Sequence, residues 1–281
     1  MHYGAHLPLI DLDGRGWDAG RLTGYVRTAR DLGFHAIATN DHLTFPRPWL
    51  DGLIGLASVI EASGELRLVT TAALPVIRGA AVLAATATAL DALSAGRLEL
   101  GVAPGSSPAD YRLAGIAFAE RWQRFDDAVD VLRRHRPGRP IWVASWGSEQ
   151  GLRRVARLGD GWLASAYNTG PDQVAAGRAR LHLERSRLGR PDTELPCTVA
   201  TMWTLITDSD AERGAALDRL AQLLDRPRQL LAERVLVGSV EHCSALVRAY
   251  AEAGVELLCL WPLGDGERQL ERFIRDVVPR I

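Results

Sequence analysis

Asn40-Asp41-His42 is where this sequence first places residue types that do chemistry side by side. A carboxylate next to an imidazole holds or moves a proton near neutral pH. Adjacent side chains on an extended strand point to opposite sides. If His42 faces a site, Asp41 therefore turns away and holds backbone or a neighbouring strand. A capping aspartate beside a partly exposed histidine explains the same residues without catalysis, and the two readings stand level. His6 is a second imidazole, for which a structural, hydrogen-bonded role is the better account and ligand binding the other. Thr71, Ala72 and Ala73 are small enough to let a planar ring approach the backbone, or they are ordinary strand packing. Gly105 and Ser106, within Gly-Val-Ala-Pro-Gly-Ser-Ser, suit close backbone approach to a ligand and a plain turn equally. Ser145, Trp146, Gly147 and Ser148 lead into a helix with Ser148 as its N-cap; free N–H groups there bind anions, and capping does not exclude this. Trp146, Trp203 and Trp261 are placed to wall a pocket for a flat ligand, although core packing explains each one alone.

The elements that must carry these residues alternate in a regular way. Short apolar runs at 2–8, 34–41, 66–75, 97–105, 140–146, 161–167, 195–206 and 255–263 read as strands. Helical patterns follow them at 17–32, 50–62, 79–93, 119–135, 148–158, 171–187, 208–224 and 266–277. Leu22, Val26, Ala29 and Leu32 share one face of the first helix, and Gly33 follows where a left-handed residue is wanted. Two more helices, 226–234 and 239–253, flank Leu-Val-Gly-Ser. Strands apolar on both faces suit a parallel sheet covered by helices. Eight strand–helix units predict an α/β fold, a (β/α)8 barrel, formed by one domain over 1–281. An open doubly wound sheet would need a glycine fingerprint after the first strand, and Leu-Pro-Leu-Ile-Asp-Leu-Asp-Gly-Arg-Gly is not one. In such a barrel the strand C-termini carry the site, which is where the residues above fall. The longest irregular stretch, 103–118, follows strand four and is expected to be functional.

Composition removes whole classes of function. A net charge of −1 gives no field favouring nucleic acid or an anionic membrane. Every basic side chain apart from histidine is Arg, so no catalytic lysine, Schiff base or lysine phosphate clamp exists. Cys197, Cys243 and Cys259 are far apart with no metal-ligand spacing, so no metal is expected and all three read as core residues of a cytoplasmic protein. No apolar run reaches the ~20 residues of a membrane helix. No GxSxG, HExxH or Walker motif occurs. The residues alone end at a barrel enzyme with a planar or phosphate-bearing ligand.

Five stretches in order resemble a known superfamily: ARDLGFHAIATNDHL, LRLVTTAALPVIRGAAVLAATATALDALSAGRLELGVAPG, FAERWQRFDDAVDVLR, RPIWVASWGSEQGLRRVARLGDGWL and LVGSVEHCSALVRAYAEAGVELLCLWP. They are similar to the bacterial-luciferase-like flavin and deazaflavin oxidoreductases, most of all to the branch dependent on coenzyme F420. The resemblance implies a flavin or deazaflavin at the barrel mouth, beside which His42 and Asp41 match the catalytic pair. It implies a non-proline cis peptide backing the ring, matched to Ala72–Ala73, a cofactor phosphate at Ser145–Ser148, and a homodimer. Two positions depart from the pattern. Ser106 stands where one dehydrogenase subgroup has an acid, and Pro104 where true luciferases have a phosphate-binding arginine.

The expected function is F420-dependent hydride transfer to or from a small organic substrate. One alternative is an FMN-dependent monooxygenase fed by a separate reductase; the carbon at position 5 of a deazaflavin does not support that oxygen chemistry. The other is a relative that binds the cofactor without turnover.

Overall fold

The computed structural model describes residues 1–190 and 195–281. In chain order the elements are β1 (His2–His6), α1 (Ala19–Asp31), β2 (Ala36–Thr39), α2 (Gly52–Ser58), β3 (Arg67–Ala73), α3 (Pro75–Arg78), α4 (Ala80–Leu93), β4 (Leu98–Val102) and α5 (Pro108–Leu113). There follow α6 (Arg121–His135), β5 (Ile141–Ala144), α7 (Glu149–Leu158), β6 (Gly161–Ser165), α8 (Pro171–Arg187), β7 (Cys197–Ile206) and α9 (Asp210–Leu224). The chain ends with α10 (Arg228–Arg234), β8 (Leu236–Gly238), α11 (Val240–Glu252), β9 (Leu257–Pro262) and α12 (Gly266–Arg272).

Strands β1 to β7 pair in sequence, all parallel; β7 then pairs β9, and β9 returns to β1, closing an eight-stranded barrel. The eight predicted runs are these eight strands. The ninth, β8, comes from the Leu-Val-Gly stretch between the two extra helices and extends only the outer end of β7, at Thr204↔Leu236 and Ile206↔Gly238. Three residues are too short a run for periodicity to mark them as a strand.

Alternation along each strand sorts side chains into two cores. Ile37, Leu68, Leu100, Val143 and Val199 face outward and meet the helices, including Leu22, Val26 and Ala29 of α1. Ala36, Ala38, Val69, Ala72, Leu163, Ala200, Leu257 and Cys259 fill the barrel interior. All three cysteines are free and buried, and burial raises each thiol pKa, as expected of core residues.

The Asp-Ala-Leu-Ser-Ala-Gly-Arg-Leu stretch is a joint rather than a site. Asp91 accepts from the Leu98 backbone, Gly96 takes φ +83°, and Arg97 donates to the carbonyls of Ile60, Leu66 and Ser94.

Two expectations are corrected. The 103–118 stretch is not irregular throughout. Ser107 accepts from Asp110 N and Pro108 fills the first helical position, so α5 forms there. The cis peptide is Thr71–Ala72, one residue before the expected Ala72–Ala73. It lies where the β3–β4 register shifts between Thr70 and Ala73, an irregularity that counting along the strand does not reveal.

Candidate active site

Five alanines sit at the barrel's inner wall toward its C-terminal end: Ala38, Ala72 and Ala200 in the interior cluster, with Ala103 and Ala144 packed against it. Beside this low surface, on β1, β7 and β9, stands an aromatic wall. His6 stacks on Trp261, centroids 3.7 Å apart and 9° from parallel, and Trp261 stacks on Trp203 at 4.4 Å. Trp49 meets Trp261 edge-on at 5.8 Å, and Trp49 and Phe45 in turn touch the His42 ring, at 4.8 Å and 5.4 Å. The wall therefore runs from the barrel interior to His42.

His6 is wholly buried. Its Nδ1 donates to the Leu7 carbonyl at 2.9 Å, leaving Nε2 as an acceptor without a partner. Burial pushes its pKa down to about 3, although the backbone bond opposes this, so the ring is neutral.

The paired residues after β2, in irregular chain beyond the strand, separate. Asp41 turns to the protein side. Its carboxylate is held by Arg78 Nε and Nη2 and accepts from Leu74 N at 3.3 Å, and Arg78 also binds Asp51. Asp41 thus fastens the end of β3 to the end of β2. His42 turns the other way. Its Nδ1 lies 2.9 Å from Oδ2 of Asp110, on α5. Asp110 is buried and also accepts from Thr44 N at 2.7 Å and Thr44 Oγ1 at 2.6 Å. Burial alone would raise the Asp110 carboxyl, but the bonds from His42 and Thr44 outweigh it and hold it below the usual range. An ionised carboxylate only accepts, so Nδ1 carries a proton, and in the neutral imidazole the acceptor lone pair is on Nε2. The His42 side chain is 23% exposed, enough for a ligand to reach that lone pair. Sequence reading missed Asp110, Phe45 and Trp49. The Ser107-Pro108-x-Asp110 cap was the available signal for the first, but it announces a helix and not the direction of its carboxylate.

The other expected binding residues divide. Ala72 faces the interior, whereas Ala73 joins the outer core. Thr71 spends its hydroxyl on the Thr39 carbonyl at 3.2 Å. Gly105, at φ +87°, packs between Leu74 and Tyr111, and Ser106 is exposed. Ser148 caps α7 by accepting from Gly151 N, and Ser145 Oγ accepts from Gly147 N. Trp146 stands apart from the other tryptophans, 47% exposed, over a groove of about 320 Å³ between α7 and α8. Among the described residues no group of three or more His, Cys, Asp or Glu is placed to hold a metal. None of their helices is long and apolar enough to cross a membrane.

Short side chains and unpartnered polar atoms, the features a flat, polar-edged cofactor would use, both occur around the mouth. The alanines keep the strand ends low. His6 Nε2, Asn40 Oδ1, Trp49 Nε1 and Trp203 Nε1 are buried polar atoms without a protein partner.

Comparison with known proteins is consistent with this geometry. The family model described as luciferase-like monooxygenase matches residues 10–220. An uncharacterized protein of Mycobacterium tuberculosis is 30% identical over 137 residues, 41% of this chain and 46% of that one, so the match spans about half the relative's length. The 4-hydroxyprotoasukamycin monooxygenase of Streptomyces nodosus is 26% identical over 284 residues, 80% of this chain and 76% of that one. Among solved structures, the monooxygenase RslO1 from Streptomyces bottropensis superposes with a TM-score of 0.81 at 21% identity, over 99% of both chains. An F420-dependent secondary alcohol dehydrogenase superposes with a TM-score of 0.84 at 14% identity, over 99% of this chain and 98% of that one. At those identities the two structures speak for the fold alone.

Proposed function

The chain belongs to the luciferase-like monooxygenase family, and from that premise we propose that it is an F420-dependent oxidoreductase transferring a hydride to or from a small organic substrate that bears a hydroxyl. The observation that carries the reading is the His42–Asp110 pair beside the alanine surface. A bound deazaflavin supplies the two-electron acceptor or donor. His42 Nε2 takes the hydroxyl proton of the substrate as its carbon is oxidised, and returns it in the reverse direction. Asp110 fixes the ring and its tautomer and stabilises the imidazolium that forms. His42 is the catalytic residue in this reading. Asp110 is a positioning residue. So is Asp41, through the end of β3, a change from the catalytic role first expected of it. The aromatic wall excludes water from one side of the site.

A second reading is an FMN-dependent monooxygenase, supported by the 26% identical monooxygenase relative. There His42 would deprotonate the substrate hydroxyl before oxygen is inserted. Purified protein would be titrated with coenzyme F420 and with FMN while tryptophan fluorescence is followed, and oxygen uptake would then be recorded with the reduced cofactor and trial substrates. Binding of the deazaflavin and turnover without oxygen uptake are expected. FMN preference with oxygen consumed in step with substrate would replace the first reading by the second.

A further inference from the structure

We propose that Phe45 and Trp49 are specificity-determining residues and that the substrate is an aryl carbinol, its hydroxyl on a carbon attached to an aromatic ring; this rests on the hydride-transfer reading above. Two sets of rings meet at the mouth. His6, Trp261 and Trp203 are buried and stack face to face, so they cover one another. Phe45 and Trp49 lie on the loop between β2 and α2 and remain partly exposed. They contact each other at 4.8 Å and the His42 ring at 5.4 Å and 4.8 Å, crossing at 42–69° instead of stacking. A molecule that reaches His42 Nε2 has these two rings beside it.

That surface is fixed in the same frame as the base. Asp110, which orients His42, also accepts from Thr44 N and Thr44 Oγ1, one residue before Phe45. Trp49 forms an antiparallel bridge with Ile10. On either side of it, Asp11 N donates to the Pro48 carbonyl at 3.0 Å and Leu50 N to the Leu9 carbonyl at 2.8 Å. Pro46 and Pro48 stiffen the chain between these anchors. Rings held this way lose little freedom when a ligand arrives, so ordering offsets little of what they gain by contact.

The two rings select by more than apolarity. Aromatic faces and edges carry opposite partial charges, so an aromatic guest gains from edge-to-face or offset contact what a saturated ring of similar size does not. A phenol has no hydrogen on its hydroxyl-bearing carbon, so for hydride transfer the hydroxyl sits one carbon out from the ring. That carbon gives its hydrogen, with the bonding pair, to the bound deazaflavin. The hydroxyl proton passes to His42 Nε2, and an aryl ketone remains. Phe45 and Trp49 take no part in these transfers; they hold the carbinol beside the base.

1-Phenylethanol and 1-cyclohexylethanol test this, since they share the carbinol and differ in the saturation of the ring. Burial alone favours the cyclohexyl compound, whose ring is the more apolar. Dissociation constants would be measured by NMR titration of the cofactor-free full chain. The natural protein, Phe45→Leu, Trp49→Leu and Trp146→Leu would be compared, with circular dichroism to confirm folding. The natural protein should bind the phenyl compound roughly three- to tenfold more tightly. Phe45→Leu and Trp49→Leu should each remove most of that preference. Trp146→Leu changes an exposed tryptophan outside the wall and should keep it. Equal binding by the natural protein, tighter binding of the cyclohexyl compound, or binding of neither overturns the assignment, as does a preference that survives in both loop variants. Reduction of F420 by each alcohol would be followed separately. Reduction without the phenyl preference removes the inference and leaves the hydride-transfer reading standing. A preference that is lost in the two loop variants, with no F420 reduced, supports the ring selectivity and counts against the hydride-transfer reading.

Discussion

At the scale of single residues, the His42–Asp110 bond decides what the mouth can do. An amide at position 110 can donate to Nδ1, which would place the proton on Nε2 and remove the acceptor. Asp110→Asn is therefore expected to lower kcat on the order of 10²–10⁴ with KM little changed, as His42→Ala should. A loss confined to KM would show that the pair only shapes the pocket. The Asp110 carboxyl sits below its ordinary value, so its contribution to stability is present above the unfolded value of about 3.9 and is lost as pH falls through the lower folded value. The melting temperatures of the natural protein and Asp110→Asn should accordingly converge in acid, and a constant gap would contradict the pairing. His6 gives the opposite sort of test. Its folded pKa of about 3 lies below the ordinary 6.5. Between these values the unfolded chain binds a proton that the native state refuses, so stability falls as pH drops, by up to about 1.4 kcal/mol per unit. Denaturant titrations at pH 7 and pH 5 should show a smaller drop in His6→Phe, and equal drops would mean that His6 is not held neutral.

At the scale of elements, helix packing on the barrel depends on a few glycines. A Cβ on Gly177 of α8 would run into the Trp162 ring, which fills the space between that helix and β6. Gly214 of α9 has room, with only the end of Arg228 at 3.5 Å. Gly214→Ala should therefore stabilise by roughly 0.5–1 kcal/mol through helix propensity. Gly177→Ala should destabilise by about 1–3 kcal/mol from overpacking, despite the same gain. Chemical denaturation of the two variants checks this, and two changes of the same sign would refute the packing argument. Helix starts at this scale were legible in advance. Ser148 is an N-cap in sequence and in structure because capping needs only residues three apart. The α5 turn was equally local, and Ser107-Pro108 marked it. The Thr71–Ala72 position of the cis bond was not, because it depends on how β3 meets β4.

At the scale of the whole molecule, the outer surface of α4 is unusual for a helix facing water. Ala81, Val82, Ala85, Ala89, Ala92 and Leu93 are exposed, the one acid of the helix, Asp91, is buried, and Ile54 of the adjoining α2 is 62% exposed. An uncharged surface meeting its own copy brings no like charges together, which suits the expected homodimer. Sedimentation should give a dimer for the natural protein and a monomer for Val82→Glu combined with Leu93→Glu. A monomeric natural protein would end that expectation. Closure of the barrel is what brings the two sides of the mouth within reach of each other.

Order along the chain determined the strand–helix alternation, the inward and outward sorting of side chains, and the family. Each follows from period, local capping or motifs carried by contiguous residues. Only the tertiary structure decided that Asp110 is the partner of His42, 68 positions away, and that Trp49, Trp203 and Trp261 join one wall with His6. Those contacts depend on where loops from different strands land once the barrel closes. Neither the period of a strand nor the composition of a loop encodes that direction.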